Sequence, residues 1–138
     1  MLAAQRAMGA YAKVELETSI GSASPHQLIQ MLFDGARASL AQARHALERG
    51  LGQDKNRAIA RALTIITEGL RGSLDIARGG DIALNLDALY AYMEGELVMA
   101  NLHSDAQRIS TVDELLAGLQ SAWQDIGRPG STSAPEAA

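Results

Sequence analysis

The side chains able to carry out chemistry are sparse and scattered along this chain. Its three histidines, His26, His45 and His103, include no pair spaced to share a helix face. No glutamate is followed three residues later by a histidine, the pattern that a di-metal carboxylate bundle needs on two of its helices. Cysteine is absent, which excludes thiolate nucleophiles, zinc knuckles and a disulfide framework and suits a reducing compartment. Glu94 and Glu96, two residues apart, project from different faces of a helix and cannot act together on one substrate bond. No phosphate-cradling glycine loop or nucleophile elbow is present, and Gly79-Gly80 alone reads as a loop. The residues therefore predict no enzyme, no metal and no cofactor.

The elements that hold these side chains are helices. Ala, Leu, Arg, Glu and Gln dominate, and only 4% of residues are aromatic, a mixture that favours helix over strand. Ile29, Phe33, Ala36, Leu40, Ala43 and Leu47 recur at spacings of four and three, the mark of one helix face. Ser24, Pro25 and Gln27 supply a cap, a first-turn proline and the reciprocal half of a capping box, and Gly50 and Gly52 end the segment. A second helix is expected to open with Asp54 as its cap, to carry Ile59, Leu63, Ile66, Leu70, Leu74 and Ala77 inward, and to stop at Gly79-Gly80. The third is expected over about residues 84–103, capped by Asp81 or Asn85, with Leu86, Leu89 or Tyr90, Met93, Leu97 and Ala100 on its inner stripe. The fourth is expected to begin near Ser110 or Thr111, where Thr111 and Glu114 form another capping-box pattern, and to close at Gly127 and Pro129.

Four helices joined by short loops predict an all-α, antiparallel up-down four-helix bundle. Its expected span is residues 24–127. Residues 1–23 read as a flexible N-terminal arm with apolar hooks, and residues 128–138 as a small, polar, disordered tail. At 138 residues with 47% hydrophobic content, one domain can bury its own core. No segment has the run of roughly 20 apolar residues that spans a bilayer, nor does the N-terminus have a secretory pattern. The expected location is the cytoplasm, without membrane insertion. A net charge of -4 argues against nucleic acid as a partner, because binding to phosphates rests on Lys and Arg displacing counterions. The charge is uneven: residues 37–78 hold eight bases, whereas residues 82–127 hold one, Arg108, against seven acids. Oppositely biased helix pairs that attract each other or face water are the simplest account, and a docking surface for a charged partner is the alternative.

Two helices carry more apolar surface than a bundle needs. Beside its core stripe the second helix has Ala58, Ala62, Ile65, Gly69, Gly72 and Ile76. The third has Leu84, Ala88, Tyr92, Gly95, Met99 and Leu102. Glycine inside a helix costs about 1 kcal/mol relative to alanine, so Gly69, Gly72 and Gly95 call for a steric reason, such as the close approach of another backbone. Together the stripes predict a groove that holds an amphipathic segment of another polypeptide, with methionine lending adaptability. The alternative is a small helical adaptor that associates with itself or with a regulator through the same surface.

Two stretches add a resemblance. Ala23-Ser24-Pro25-His26-Gln27-Leu28 with Met31-Leu32-Phe33-Asp34-Gly35-Ala36 resembles the opening helix of the flagellar secretion chaperone FliS family. Gly79-Gly80-Asp81-Ile82-Ala83, Asn85-Leu86, Leu89-Tyr90-Ala91-Tyr92-Met93 and Ala100-Asn101 with Asp105 resemble that family's turn into its third helix and the helix itself. The resemblance spans about residues 11–126. It implies a cytoplasmic chaperone that binds the C-terminal segment of flagellin, prevents its early polymerisation and delivers it to the flagellar type III export apparatus. It also implies that an arm bearing Tyr11, with Val14 beside it, contributes to docking at the export gate, and it admits other flagellar regulators as partners.

Overall fold

The computed structural model describes residues 22–128, all of whose regular structure is helical. Residues 1–21 of the expected arm, with Tyr11 and Val14, and the tail from residue 129 onward lie outside the described residues.

Helix α1, Pro25–Glu48, begins as its sequence predicts: Ser24 Oγ accepts from the Gln27 amide, and the Gln27 side chain accepts from the Ser24 amide at 2.8 Å. Gly50 then turns the chain with a φ of 71°, a conformation that favours a residue without Cβ. Helix α2, Gly52–Thr64, starts earlier than expected. Its N-cap is Leu51, without a side-chain cap, and Asp54 sits in the first turn, where it pairs with Arg57. The reversal is already complete at Gly50, and the Lys55 amide donates to the Leu51 carbonyl, so hydrogen bonding begins before Asp54 is reached.

From Ile65–Arg71 the same helix widens into a π-helix, and it ends at Gly72, well short of the Gly79-Gly80 pair. Asp75 caps the next helix, accepting from the Arg78 amide at 3.1 Å. Helix α3, Ile76–His103, therefore begins eight residues before its expected start. Gly80, with φ 56° and ψ -133°, is a kink within it and not the stop between two helices. Helix α4, Ala106–Gly127, also starts early: Asp105 accepts from the Gln107 and Arg108 amides. Thr111 is an interior residue whose hydroxyl donates to the Gln107 carbonyl at 3.0 Å. A carboxylate directly after the left-handed Ser104 supplies the cap that the Thr111 pattern only mimics.

Contacts between helix ends establish the up-down order. Lys55, near the start of α2, donates through Nζ to the Asn101 carbonyl and to Ser104 Oγ at the end of α3, each at 3.1 Å. Trp123 Nε1, near the end of α4, donates to the His26 carbonyl at the start of α1 at 3.0 Å. Leu32, Leu40, Ile59, Ile66, Met93, Leu97, Ile109 and Leu116 are among the fully buried side chains between the four helices. A polar seam joins α1 to α4: the Arg37 guanidinium meets Asp113 at 2.9 Å, and the buried Gln120 amide donates to Asp34 at 2.6 Å. The unequal charge along the chain is thus largely used inside the molecule, between helices.

Candidate functional site

The two surplus stripes have different fates. On α2, Ala58, Ala62 and Ile65 are 3%, 0% and 0% exposed, and Gly69 is buried as well. This stripe faces the bundle. It cannot form one wall of an open groove, because α1 packs on it. The glycines there have intramolecular reasons. A Cβ on Gly69 would lie 2.9 Å from Leu32 Cδ2, and one on Gly72 would collide with the Glu68 carbonyl at the exit of the π-helix. A charge introduced at Ile65 would be buried, so that position does not probe the surface. Ile76, at the start of α3, is exposed and belongs to neither wall.

The α3 stripe is open along its length. Leu84, Tyr92 and Leu102 are 52%, 51% and 71% exposed, with Ala88, Gly95 and Met99 also exposed between them. Val98, which the stripe's spacing passed over, is exposed beside Met99. From Ile82 to Leu102 this outward face carries no unpaired charge. Between Leu84 and Leu102 the charged side chains of α3, Asp87, Glu94 and Glu96, turn to its two flanks. On one, Arg71 reaches from the π-helix to Asp87 at 2.6 Å and Glu94 at 2.8 Å, and the Thr67 hydroxyl donates to the second Glu94 oxygen. On the other, Arg108 of α4 reaches Glu96 at 3.0 Å and Asp105 at 3.1 Å. The Arg71 hydrogen bond holds the Asp87 carboxyl below its usual range, and Asp87 in turn raises the Arg71 guanidinium.

Gly95 sits in the middle of this face, and a Cβ there would meet nothing within 4 Å. Unlike Gly69 and Gly72, it has no internal neighbour that requires glycine. Gly118 on α4 is equally open, but it lies between the polar Glu114 and Ser121, one turn away on either side.

A second apolar feature was not anticipated. A groove of about 790 Å³ opens at the end of the bundle where α1 begins and α4 finishes. Ile29 and Phe33 of α1, Leu74 of the connecting turn, Ile82 and Leu86 of α3, and Trp123 of α4 line it. One wall contains the Gly80 kink. The rim is braced by His26 and Trp123, whose rings stack with centroids 4.8 Å apart and planes 7° from parallel. His26 Nε2 lies 2.7 Å from the Trp123 carbonyl. A carbonyl only accepts, so Nε2 carries the proton. The sequence signal for the groove was present in the residues Ile29, Leu74 and Leu86, but these read as ordinary core positions. Their partial burial follows from the early end of α2 and the kink in α3, which leave that end of the bundle unfilled.

Among the described residues no three histidines, acids or cysteines come together to hold a metal, and no helix is long and apolar enough to cross a membrane. Comparison with known proteins gives a family. A family model described as flagellar protein FliS matches residues 7–129. The flagellar secretion chaperone FliS of Salmonella typhimurium is 50% identical over 117 residues, which cover 85% of this chain and 87% of the relative. FliSB of Pseudomonas aeruginosa, also a flagellar secretion chaperone, is 44% identical over 123 residues, covering 89% and 97%. The FliS of Bacillus subtilis is 29% identical over 108 residues, covering 78% and 79%.

Proposed function

Because the chain belongs to the FliS family of flagellar secretion chaperones, which are not enzymes, we propose that it binds the C-terminal segment of flagellin along the outer face of α3, with the groove at the end of the bundle as a second contact. Bound there, the segment is kept from polymerising and is delivered to the flagellar type III export apparatus from the cytoplasm. Tyr11 and Val14 are the proposed contribution of the N-terminal arm to docking at the export gate.

The observation that carries this reading is the α3 face itself: an uncharged apolar strip, Leu84 to Leu102, with Gly95 at its centre and nothing among the described residues packed on it. A soluble monomer rarely leaves so long an apolar strip bare unless something covers it. Glycine at position 95 lets the backbone of a docked helix come close. An unfolded client gives up conformational entropy on binding, so it needs a long contact. The strip and the groove together offer one.

Titration calorimetry with the flagellin C-terminal segment tests this. Met99→Asp and Tyr92→Asp place charges on an exposed strip, so each is expected to weaken binding at least tenfold while leaving the circular dichroism and melting of the free protein nearly unchanged. Unaltered affinity in both would remove the strip from the binding site. Sedimentation of the free chain distinguishes the adaptor reading, in which two copies cover each other's strips and mass rises with concentration.

A further inference from the structure

The charges on either side of the α3 strip point to the chemistry of the segment that docks there. Between Asp81 and His103, α3 contains four acids and neither lysine nor arginine. At about 100° per residue, Asp87 and Glu94 lie roughly 90–110° to one side of the strip's midline and Glu96 about 90° to the other. The partners agree with that placement, since Arg71 comes from the helix before α3 and Arg108 from the helix after it. Each arginine is shared by two carboxylates, Arg71 by Asp87 and Glu94, Arg108 by Glu96 and Asp105. Counted by side chains, each cluster carries one formal negative charge in excess, and at Asp105 the Gln107 and Arg108 amides offset part of it. None of these carboxylates is sealed from solvent: their side chains are 38%, 21%, 19% and 36% exposed.

We infer that the α3 strip selects an amphipathic helix whose apolar anchors are flanked on both edges by lysine or arginine. This inference rests on the reading that the strip is the flagellin site. A helix about 10–12 Å across, laid on the strip, brings its edge residues over the two acidic clusters while its anchors cover Leu84, Tyr92 and Met99. Apolar contact supplies the adhesion. The two edges set the register and exclude segments with acidic edges, because like charges brought together oppose docking.

Calorimetric titration of the full chain at two salt concentrations separates this inference from the reading beneath it. Three ligands and variants suffice: the natural flagellin C-terminal segment, the same segment with its lysines and arginines replaced by glutamine, and the protein variant Glu96→Gln. The natural segment is expected to bind more weakly as salt rises. At low salt the neutralised segment is expected to bind more weakly by roughly 2- to 5-fold for each basic residue that meets an acidic cluster. Glu96→Gln is expected to weaken the natural segment by a similar factor and to leave the neutralised segment unchanged. A merely structural role for Glu96 would shift both segments equally, which overturns the inference. Equal affinity of the two segments, with no salt dependence, also overturns it but leaves the strip as the flagellin site. If neither segment binds the unaltered protein, the underlying reading fails and the inference with it.

Discussion

Among single residues, the informative contrast lies between glycines. Gly72 is required by the backbone beside it and Gly69 is crowded by Leu32, whereas a Cβ at Gly95 meets nothing. Gly95→Ala is therefore expected to raise the stability of the free protein by about 0.5–1 kcal/mol and to weaken flagellin binding, a trade of function against stability that melting and titration on the same variant would detect. Tyr90 offers a second test. Burial pushes its hydroxyl up to about 12, above the ordinary value of 10.0. Its proton is kept longer in the folded state than in the unfolded one. Stability is thus fully present below pH 10 and is lost as pH rises toward 12, by an amount on the order of 2 kcal/mol. Tyr90→Phe should flatten that alkaline decline in denaturant midpoints measured across the range.

Between helices, α3 is fastened to the π-helix by Arg71 with Asp87 and Glu94, and to α4 by Arg108 with Glu96. The Asp87 carboxyl is held low, so its contribution is present above its ordinary value of 3.8 and disappears as pH falls through the lowered one. Acid titration of the melting midpoint should show this limb, and Asp87→Asn should reduce it. The helices also show where sequence reading succeeded. The Ser24-Pro25-Gln27 start of α1 was legible because all its signals are local. The other three starts were misplaced. Asp75 and Asp105 cap α3 and α4, but apolar period continues through the first and a false capping box follows the second. The π-helix is invisible to a 3.6-residue period, since it adds a residue without changing composition.

For the bundle as a unit, the four-helix order follows from stripes and short loops, and the sequence carried it. The candidate surface was only half legible. Two equal stripes were visible, yet periodicity cannot tell which of them a neighbouring helix will cover. Ala58, Ala62 and Ile65 disappeared under α1, while Leu84, Tyr92 and Met99 stayed bare. The terminal groove was hidden for a related reason, as it arises from how far helices extend and not from which residues they contain. The paired flanks account for much of the charge asymmetry that the sequence displayed, and they border the open apolar strip of α3 on both sides.

The brace at the mouth of that groove has a practical corollary. Trp123 is the chain's single tryptophan, and it stands face to face with an imidazole at the edge of an unfilled recess. Its emission thus reports on one place in the molecule, without any added dye. A polypeptide entering the recess would change the indole's exposure to water, so arrival and departure of cargo can be timed by light in a stopped-flow mixer.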